Sequence, residues 1–186
     1  MALTTSNELP LLTEAPDFYL PDTNGNNWKS LTDCRGEKGT LVMFICNHCP
    51  YVHHVLDEII MIANDYRVQG IGFVAISSND IENYPADSPE NMAEFAYENN
   101  FHFPYLYDET QETAKVYQAA CTPDFYLFNA SNRLVYHGQL DDSRPGNNIP
   151  VSGSDLRNAI DSILYNRTIN PKQKPSIGCN IKWKNN

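Results

Sequence analysis

The sequence predicts an α/β fold with a central mixed β-sheet flanked by helices, on three observations. A continuous apolar run at residues 41–45 leads straight into Cys46-Asn47-His48-Cys49-Pro50, and apolar residues then recur at helical spacing. A second apolar run, at 73–76, follows that helix and completes a strand–helix–strand unit, whose strands should be parallel with a right-handed crossover. Further on, Thr122-Pro123 stands just ahead of a third apolar run and a hairpin.

In chain order, residues 1–14 read as a loose lead-in. Ala15-Pro16-Asp17-Phe18-Tyr19-Leu20 begins a short strand, the turn formers of 21–27 reverse it, and 28–31 return as the second arm of an N-terminal hairpin. Cys34 falls in a polar loop at 32–39. The central strand and a helix of about four turns follow, with Val52, Val55, Leu56, Ile59, Ile62, Ala63 and Tyr66 inward. After the strand at 73–76 comes a polar loop. Ser88-Pro89 then caps a short helix with Met92, Phe95 and Ala96 inward. Residues 101–107 are aromatic and extended. Asp108 starts a further helix with Ala114, Val116 and Tyr117 inward. A strand at 125–128, a turn at 130–133 and a strand at 134–137 form the hairpin. A last helix opens at 153–155, with Leu156, Ile160, Ile163 and Leu164 inward. The tail carries an apolar patch of Ile177, Ile181 and Trp183. One domain is expected over 1–186, with a core at about 15–166 and a tail at 167–186.

Length and composition set bounds. A chain of 186 residues, 41% hydrophobic, buries a sound core without disulfide staples. Its net charge of −10 argues against nucleic acid or an anionic membrane as partner. The first ten residues lack a basic region and a long apolar stretch, and no run reaches transmembrane length. With five cysteines, an odd number, the chain is expected in a reducing cytoplasm.

The chemistry concentrates at Cys46-Asn47-His48-Cys49. Its place at a strand-to-helix junction brings the sulfurs near a helix N-terminus, which carries about half a positive charge and favours thiolate. Cys46, the more N-terminal sulfur and the one expected to be exposed, reads as nucleophile. Cys49, one turn along, reads as the thiol that resolves a mixed disulfide. His48 adds a donor or positive charge that lowers the Cys46 pKa. Two bland readings stand beside this one. The pair is half of a zinc site, although Cys34, Cys121 and Cys179 are scattered singly and supply no matching second pair; or the thiols are inert.

The order of elements resembles the thioredoxin fold. The resemblance places Cys46–Cys49 at that superfamily's active-site dithiol. It places Thr122-Pro123 at its cis-proline, which packs against the dithiol beside backbone that pairs with an incoming peptide. The front end, with Ala15-Pro16-Asp17-Phe18, Asn24-Gly25 and Ser30-Leu31, is similar to the alkyl hydroperoxide reductase/thiol-specific antioxidant group. Cys46-Asn47-His48-Cys49-Pro50-Tyr51-Val52, Tyr84-Pro85-Ala86-Asp87-Ser88-Pro89, Phe103-Pro104-Tyr105-Leu106 and the ending at 175–184 resemble a peroxiredoxin-like thioredoxin subgroup within it. Two departures matter. Where a peroxiredoxin has Pro-x-x-x-Thr-x-x-Cys, this chain has Gly39 and Met43 at the proline and threonine places, so peroxide lacks a preset hydroxyl partner. Where thioredoxin has Trp before the first cysteine and Gly-Pro between the pair, this chain has Ile45 and Asn47-His48. Histidine ahead of the second cysteine resembles disulfide isomerases and oxidases, whose couples lie near about −180 and −120 mV against about −270 mV for thioredoxin. The Cys46–Cys49 couple is therefore expected to be less reducing than thioredoxin.

Cys121, two residues before Pro123, reads either as a third redox thiol or as packing, and Cys179 either as a resolving thiol or as part of a tail tether. Cys34 reads as packing. His53 and His54 point about 100° apart on a helix, so at most one faces the cysteines. Asp57, Glu58, Asp141 and Asp142 read as solvated surface. The favoured function is thiol–disulfide exchange with protein or small-molecule thiols and disulfides, with no cofactor and no resident metal. The alternatives are a peroxide reductase with peroxidatic Cys46, and a copper- or zinc-binding module.

Overall fold

Strand β4 (Gly39–Phe44) lies at the centre of the architecture because both of its faces are apolar. Leu41 and Met43 point to one side of the sheet and Val42 and Phe44 to the other, all of them buried, as the two-residue period of a strand requires. Fully burying such a side chain contributes about 1.5–3 kcal/mol. A computed structural model of the chain describes residues 3–25 and 27–185. The readings of Met1 and Ala2 as lead-in, Asn26 as part of a turn and Asn186 as tail lie outside the described residues.

The other elements fall into place around β4. β1 (Leu3–Thr5) precedes the hairpin of β2 (Tyr19–Asp22) and β3 (Asn27–Ser30), and α1 (Leu31–Cys34) leads into β4. α2 (Pro50–Arg67) crosses over to β5 (Ile71–Ser77), and the two strands are parallel, with Leu41 opposite Phe73. α3 (Pro89–Glu98) and β6 (Tyr105–Tyr107) follow, then α4 (Glu112–Val116), β7 (Cys121–Thr122), the hairpin β8 (Asp124–Asn129) and β9 (Leu134–Gly138), α5 (Ser154–Leu164) and β10 (Ile177–Asn180). The main sheet has seven strands in the order β3-β2-β6-β5-β4-β8-β9. β4 pairs parallel with β5 and antiparallel with β8, which makes the sheet mixed. This is a thioredoxin-like arrangement with an added N-terminal hairpin. Among the described residues, no helix is long and apolar enough to cross a membrane.

The core has two halves. α2, α3 and α5 bury Val52, Ile59, Ile62, Met92, Ala96 and Ile160 against one face of the sheet. Leu9, Leu31, Cys34, Tyr117 and Ile181 close the other. Cys34 therefore lies across the sheet from Cys46 and Cys49, and it packs as expected.

Several expectations are corrected. The lead-in is not loose throughout, since it holds β1, and the tail, expected to be tethered by apolar anchors, is tied by strand pairing: β10 pairs antiparallel with both β1 and β7, forming a second sheet of three strands. Residues 31–34 are helical, where Leu31 is expected to end the hairpin arm and 32–34 to be loop, because Ser30 and Asp33 form a reciprocal capping box. Val116 is 52% exposed, since α4 begins at Glu112 and turns it outward. Of the expected tail anchors, Ile181 is buried, Ile177 is half-buried and Trp183 is exposed. Glu58 and Asp141 are buried rather than solvated: Glu58 accepts from Arg157 Nε at 2.6 Å, and Asp141 accepts from the N–H groups of Ser143, Ser152 and Gly153.

The β10–β7 contact is close enough to require glycine. A Cβ on Gly178 would stand 1.9 Å from the carbonyl oxygen of Thr122. Gly178→Ala should force the strands apart and lower the unfolding free energy by about 1–3 kcal/mol, measured by urea titration. An unchanged midpoint would show that β10 is not held at this distance.

Candidate functional site

The site forms where β4 ends. Ile45 still bonds to the neighbouring strand, its N–H donating to Ile76 O at 3.1 Å. Residues 46–49 then turn, and Cys49 becomes the N-cap of α2, with Pro50 in the first turn where its missing N–H costs nothing. Opposite stands Thr122-Pro123, joined by a cis peptide bond. Cys46 Sγ lies 3.4 Å from Thr122 Oγ1, and Cys49 Sγ, when protonated, donates to the Thr122 carbonyl at 3.2 Å. The structure thus brings together Cys46, Cys49, Thr122 and Pro123, and the two cysteine thiols act on each other's ionisation.

Cys46 is not the exposed sulfur of the pair: it is 1% exposed and Cys49 0%. The expected ionisation is reversed as well. The hydrogen bond from Cys46 lowers Cys49 to about 4 against the opposing effect of burial, with further help from the side chain and backbone of Cys179. The same hydrogen bond, burial and the nearby Asp87 charge push Cys46 well above the ordinary thiol value. The physical reason is position. Cys49, as N-cap, stands at the positive end of α2, whereas Cys46 precedes the helix and stands near a carboxylate. Of the two sulfurs, Cys49 is the one on which a thiolate is favoured.

His48 does not act on Cys46 as a free cation. Its Nδ1 donates to Asp87 Oδ2 at 2.6 Å, and its ring stacks on Tyr84. Asp87 is fully buried and accepts from four N–H donors: backbone Asn47 at 2.8 Å and His48 at 3.3 Å on one oxygen, His48 Nδ1 and Asn79 Nδ2 on the other. Burial opposes its ionisation. The hydrogen bonds from His48 and Asn79, the His48 charge and the Asn47 N–H outweigh burial and hold the carboxyl below its ordinary value. His48 Nε2 is buried without a partner among the described residues. Asn47 is fixed in turn by Tyr105 Oη donating to its side-chain oxygen at 3.0 Å, and by Nε2 of His53 donating to its carbonyl. His54 turns away and bonds Ser143.

Cys46 Sγ, a His48 nitrogen and an Asp87 oxygen lie within 4.8 Å of one another, a set of donors that suits a soft or borderline cation. Cys121 is buried in β7, and burial and the Asp124 charge raise its pKa far above the ordinary value. Cys179, buried in β10, hydrogen-bonds Cys49, and burial pushes its thiol up to about 12.

Asp87, Asn79, Tyr84 and Tyr105 were not legible as site residues. Asp87 and Tyr84 do stand in the proline-bracketed stretch at 84–89, whose two prolines and polar residues were the available signal.

The AhpC/TSA family profile matches residues 11–137. The chain belongs to the AhpC/TSA family. An uncharacterized conserved protein of Geobacillus kaustophilus is 55% identical over 100% of this chain and 98% of its own, with a TM-score of 0.98. A hypothetical protein of Sinorhizobium meliloti is 45% identical over 98% of this chain and 100% of its own, with a TM-score of 0.95. The thioredoxin domain of a thiol-disulfide oxidoreductase from Bacteroides vulgatus shares the fold at 18% identity, covering 84% of this chain and 99% of that one, with a TM-score of 0.64. No curated protein matches the chain.

The electrostatics make a titration prediction. Ultraviolet thiolate absorbance should show one anion per dithiol at neutral pH, lost only as the pH falls through about 4. Asp87→Asn removes a negative charge beside Cys46, so the second, alkaline ionisation should move to lower pH. If that ionisation stays where it was, the Asp87 charge does not govern Cys46.

Proposed function

We propose that the protein is a thiol–disulfide oxidoreductase whose Cys46–Cys49 dithiol exchanges with a small disulfide. One observation carries the reading: two buried sulfurs stand at the head of α2 against Thr122, and their mutual interaction favours a thiolate on Cys49 without an outside base. Once its proton has passed to Cys49, the Cys46 thiolate attacks the substrate disulfide, whose S–S bond breaks as the mixed disulfide forms; the expelled substrate thiolate takes the proton from Cys49, and the Cys49 thiolate then attacks Cys46 Sγ and releases the second half of the substrate as thiolate. Asp87 and His48 hold the turn in shape, and Thr122 and Pro123 form the wall against which the substrate lies. The substrate is small because the peptide-pairing edge of β7 is filled by β10 and both sulfurs are buried. A reducing cytoplasm suits five cysteines in thiol form.

A second reading, peroxide reduction at Cys46, has support of its own. The threonine absent from position 43 has a substitute in Thr122, whose hydroxyl stands 3.4 Å from Cys46 Sγ and comes from a different strand. Burial admits a molecule as small as hydrogen peroxide more readily than a peptide.

The deciding measurement is an equilibrium titration in a glutathione redox buffer, read by alkylation and mass mapping. Cys46–Cys49 should titrate as one two-electron couple at a potential above that of thioredoxin. Oxidised glutathione should react faster than insulin. No intrachain disulfide at any potential, or a potential below thioredoxin's, would refute the reading. For the second reading, Thr122→Val should slow the loss of the Cys46 thiol to hydrogen peroxide about tenfold, the worth of one good hydrogen bond. An unchanged rate would remove the support from Thr122.

A further inference from the structure

β10 is placed as a docked peptide would be. It adds antiparallel to β7 with Cys179 opposite Thr122 and Asn180 opposite Cys121, directly ahead of the cis-proline that faces the dithiol. The fit is tight, since Gly178 leaves no room for a Cβ against the Thr122 carbonyl. The segment is pinned at both ends. Ser6 donates through its N–H to Ser176 O, and Ile181 N–H donates to Ala120 O. Lys182 N–H donates at 2.8 Å to Asn79, whose side chain also holds Asp87. What this strand presents to the dithiol is a cysteine. The Cys179 thiol and its backbone N–H both hydrogen-bond Cys49, and the N–H of Tyr51, in the first turn of α2, meets the Cys179 sulfur. Cys179 and Cys49 thus meet at Thr122, the strand partner of the one and the carbonyl acceptor of the other, and Cys49 interacts with both Cys46 and Cys179.

We propose that Cys179 is a third redox thiol, which exchanges with Cys49 so that one disulfide is shared between Cys46–Cys49 and Cys49–Cys179. This rests on the reading that Cys46 and Cys49 form a disulfide. Cys179 loses its proton and its thiolate attacks Cys49 Sγ of the Cys46–Cys49 bond. The Cys49–Cys179 bond forms as the Cys46–Cys49 bond breaks, and the electron pair leaves on Cys46 Sγ, which takes up the proton. No electrons are gained or lost overall, so the step needs no outside oxidant. Its product is a regenerated Cys46 thiol beside a stored oxidising equivalent, with β10 covalently tied over the β7 edge.

The test uses the full chain oxidised with glutathione disulfide, alkylated and mass-mapped without reduction. Cys46→Ser should form an intrachain Cys49–Cys179 disulfide, and the Cys46→Ser/Cys179→Ser double variant should carry only a glutathione adduct on Cys49. In the wild-type protein, a fraction of singly oxidised chains should carry alkylated Cys46 together with an intact Cys49–Cys179 bond, and Cys179→Ser should abolish that fraction. If wild type forms Cys46–Cys49 but Cys46→Ser yields only glutathionylated Cys49 with a reduced Cys179, the inference is overturned while the exchange reading stands. If Cys46→Ser does not fold, wild-type chains without the Cys49–Cys179 isomer overturn it equally. If wild type never forms Cys46–Cys49, both readings fall together.

Discussion

A carboxylate buried away from water is tolerated only when its oxygens are satisfied by donors, and the site is arranged around meeting that requirement at Asp87. Four N–H groups converge on it, and two of them are backbone groups of the turn between the cysteines. The turn is therefore not set by its own propensities. It is wrapped on an anion supplied by a loop far along the chain. Asn47 is anchored by Tyr105 and His53, and His48 is clamped between Asp87 and the Tyr84 ring. Cys46 thus stands beside negative charge while Cys49 stands at the head of α2, and Asp87 adds to the asymmetry that the interaction between the two sulfurs and burial set up.

The C-terminal segment belongs to the same construction. Asn79 donates to Asp87 with its amide nitrogen and accepts the Lys182 N–H on its amide oxygen, so one side chain links the buried anion to the strand that covers the dithiol. The Lys182 ammonium lies over the Tyr84 ring that stacks on His48. Displacing β10 would open the β7 edge and also remove a partner from the residue that steadies Asp87. Cover and site are mechanically coupled through a short chain of hydrogen bonds, an arrangement that can transmit a local change without any large movement.

The sequence was readable where the physics is local or periodic. The apolar runs of β4, β5 and β8 and the helical stripe of α2 declare themselves by spacing, and Ser88-Pro89 marks the start of α3 by capping chemistry. The parallel β4–β5 pair follows from the crossover rule. What stayed hidden depends on distant pairing. β10 is only four residues long and carries glycine and asparagine, so nothing local distinguishes it from a polar tail; its strand character comes from β1 and β7 on either side. Asp87 looks like any loop aspartate until the fold brings Asn47, His48 and Asn79 to it. The ionisation of Cys46 and Cys49 is hidden as well, since it turns on how the two thiols meet and how deeply they are buried, with Asp87 and Cys179 adding to the effect.

β10 also has a consequence for how the molecule comes into being. The dithiol is encoded early and its cover late, with β1 waiting at the other end of the chain for β10 to complete their shared sheet. A nascent chain released from its N-terminal side can assemble β4, α2 and β5 well before residues 177–182 leave the ribosome. Through that interval the β7 edge is without its β10 partner, and closing the second sheet is a long-range step of the kind that comes late in folding. The strand that completes the second sheet is thus also the one that brings Cys179 to the dithiol, so the third thiol joins the site only when folding closes.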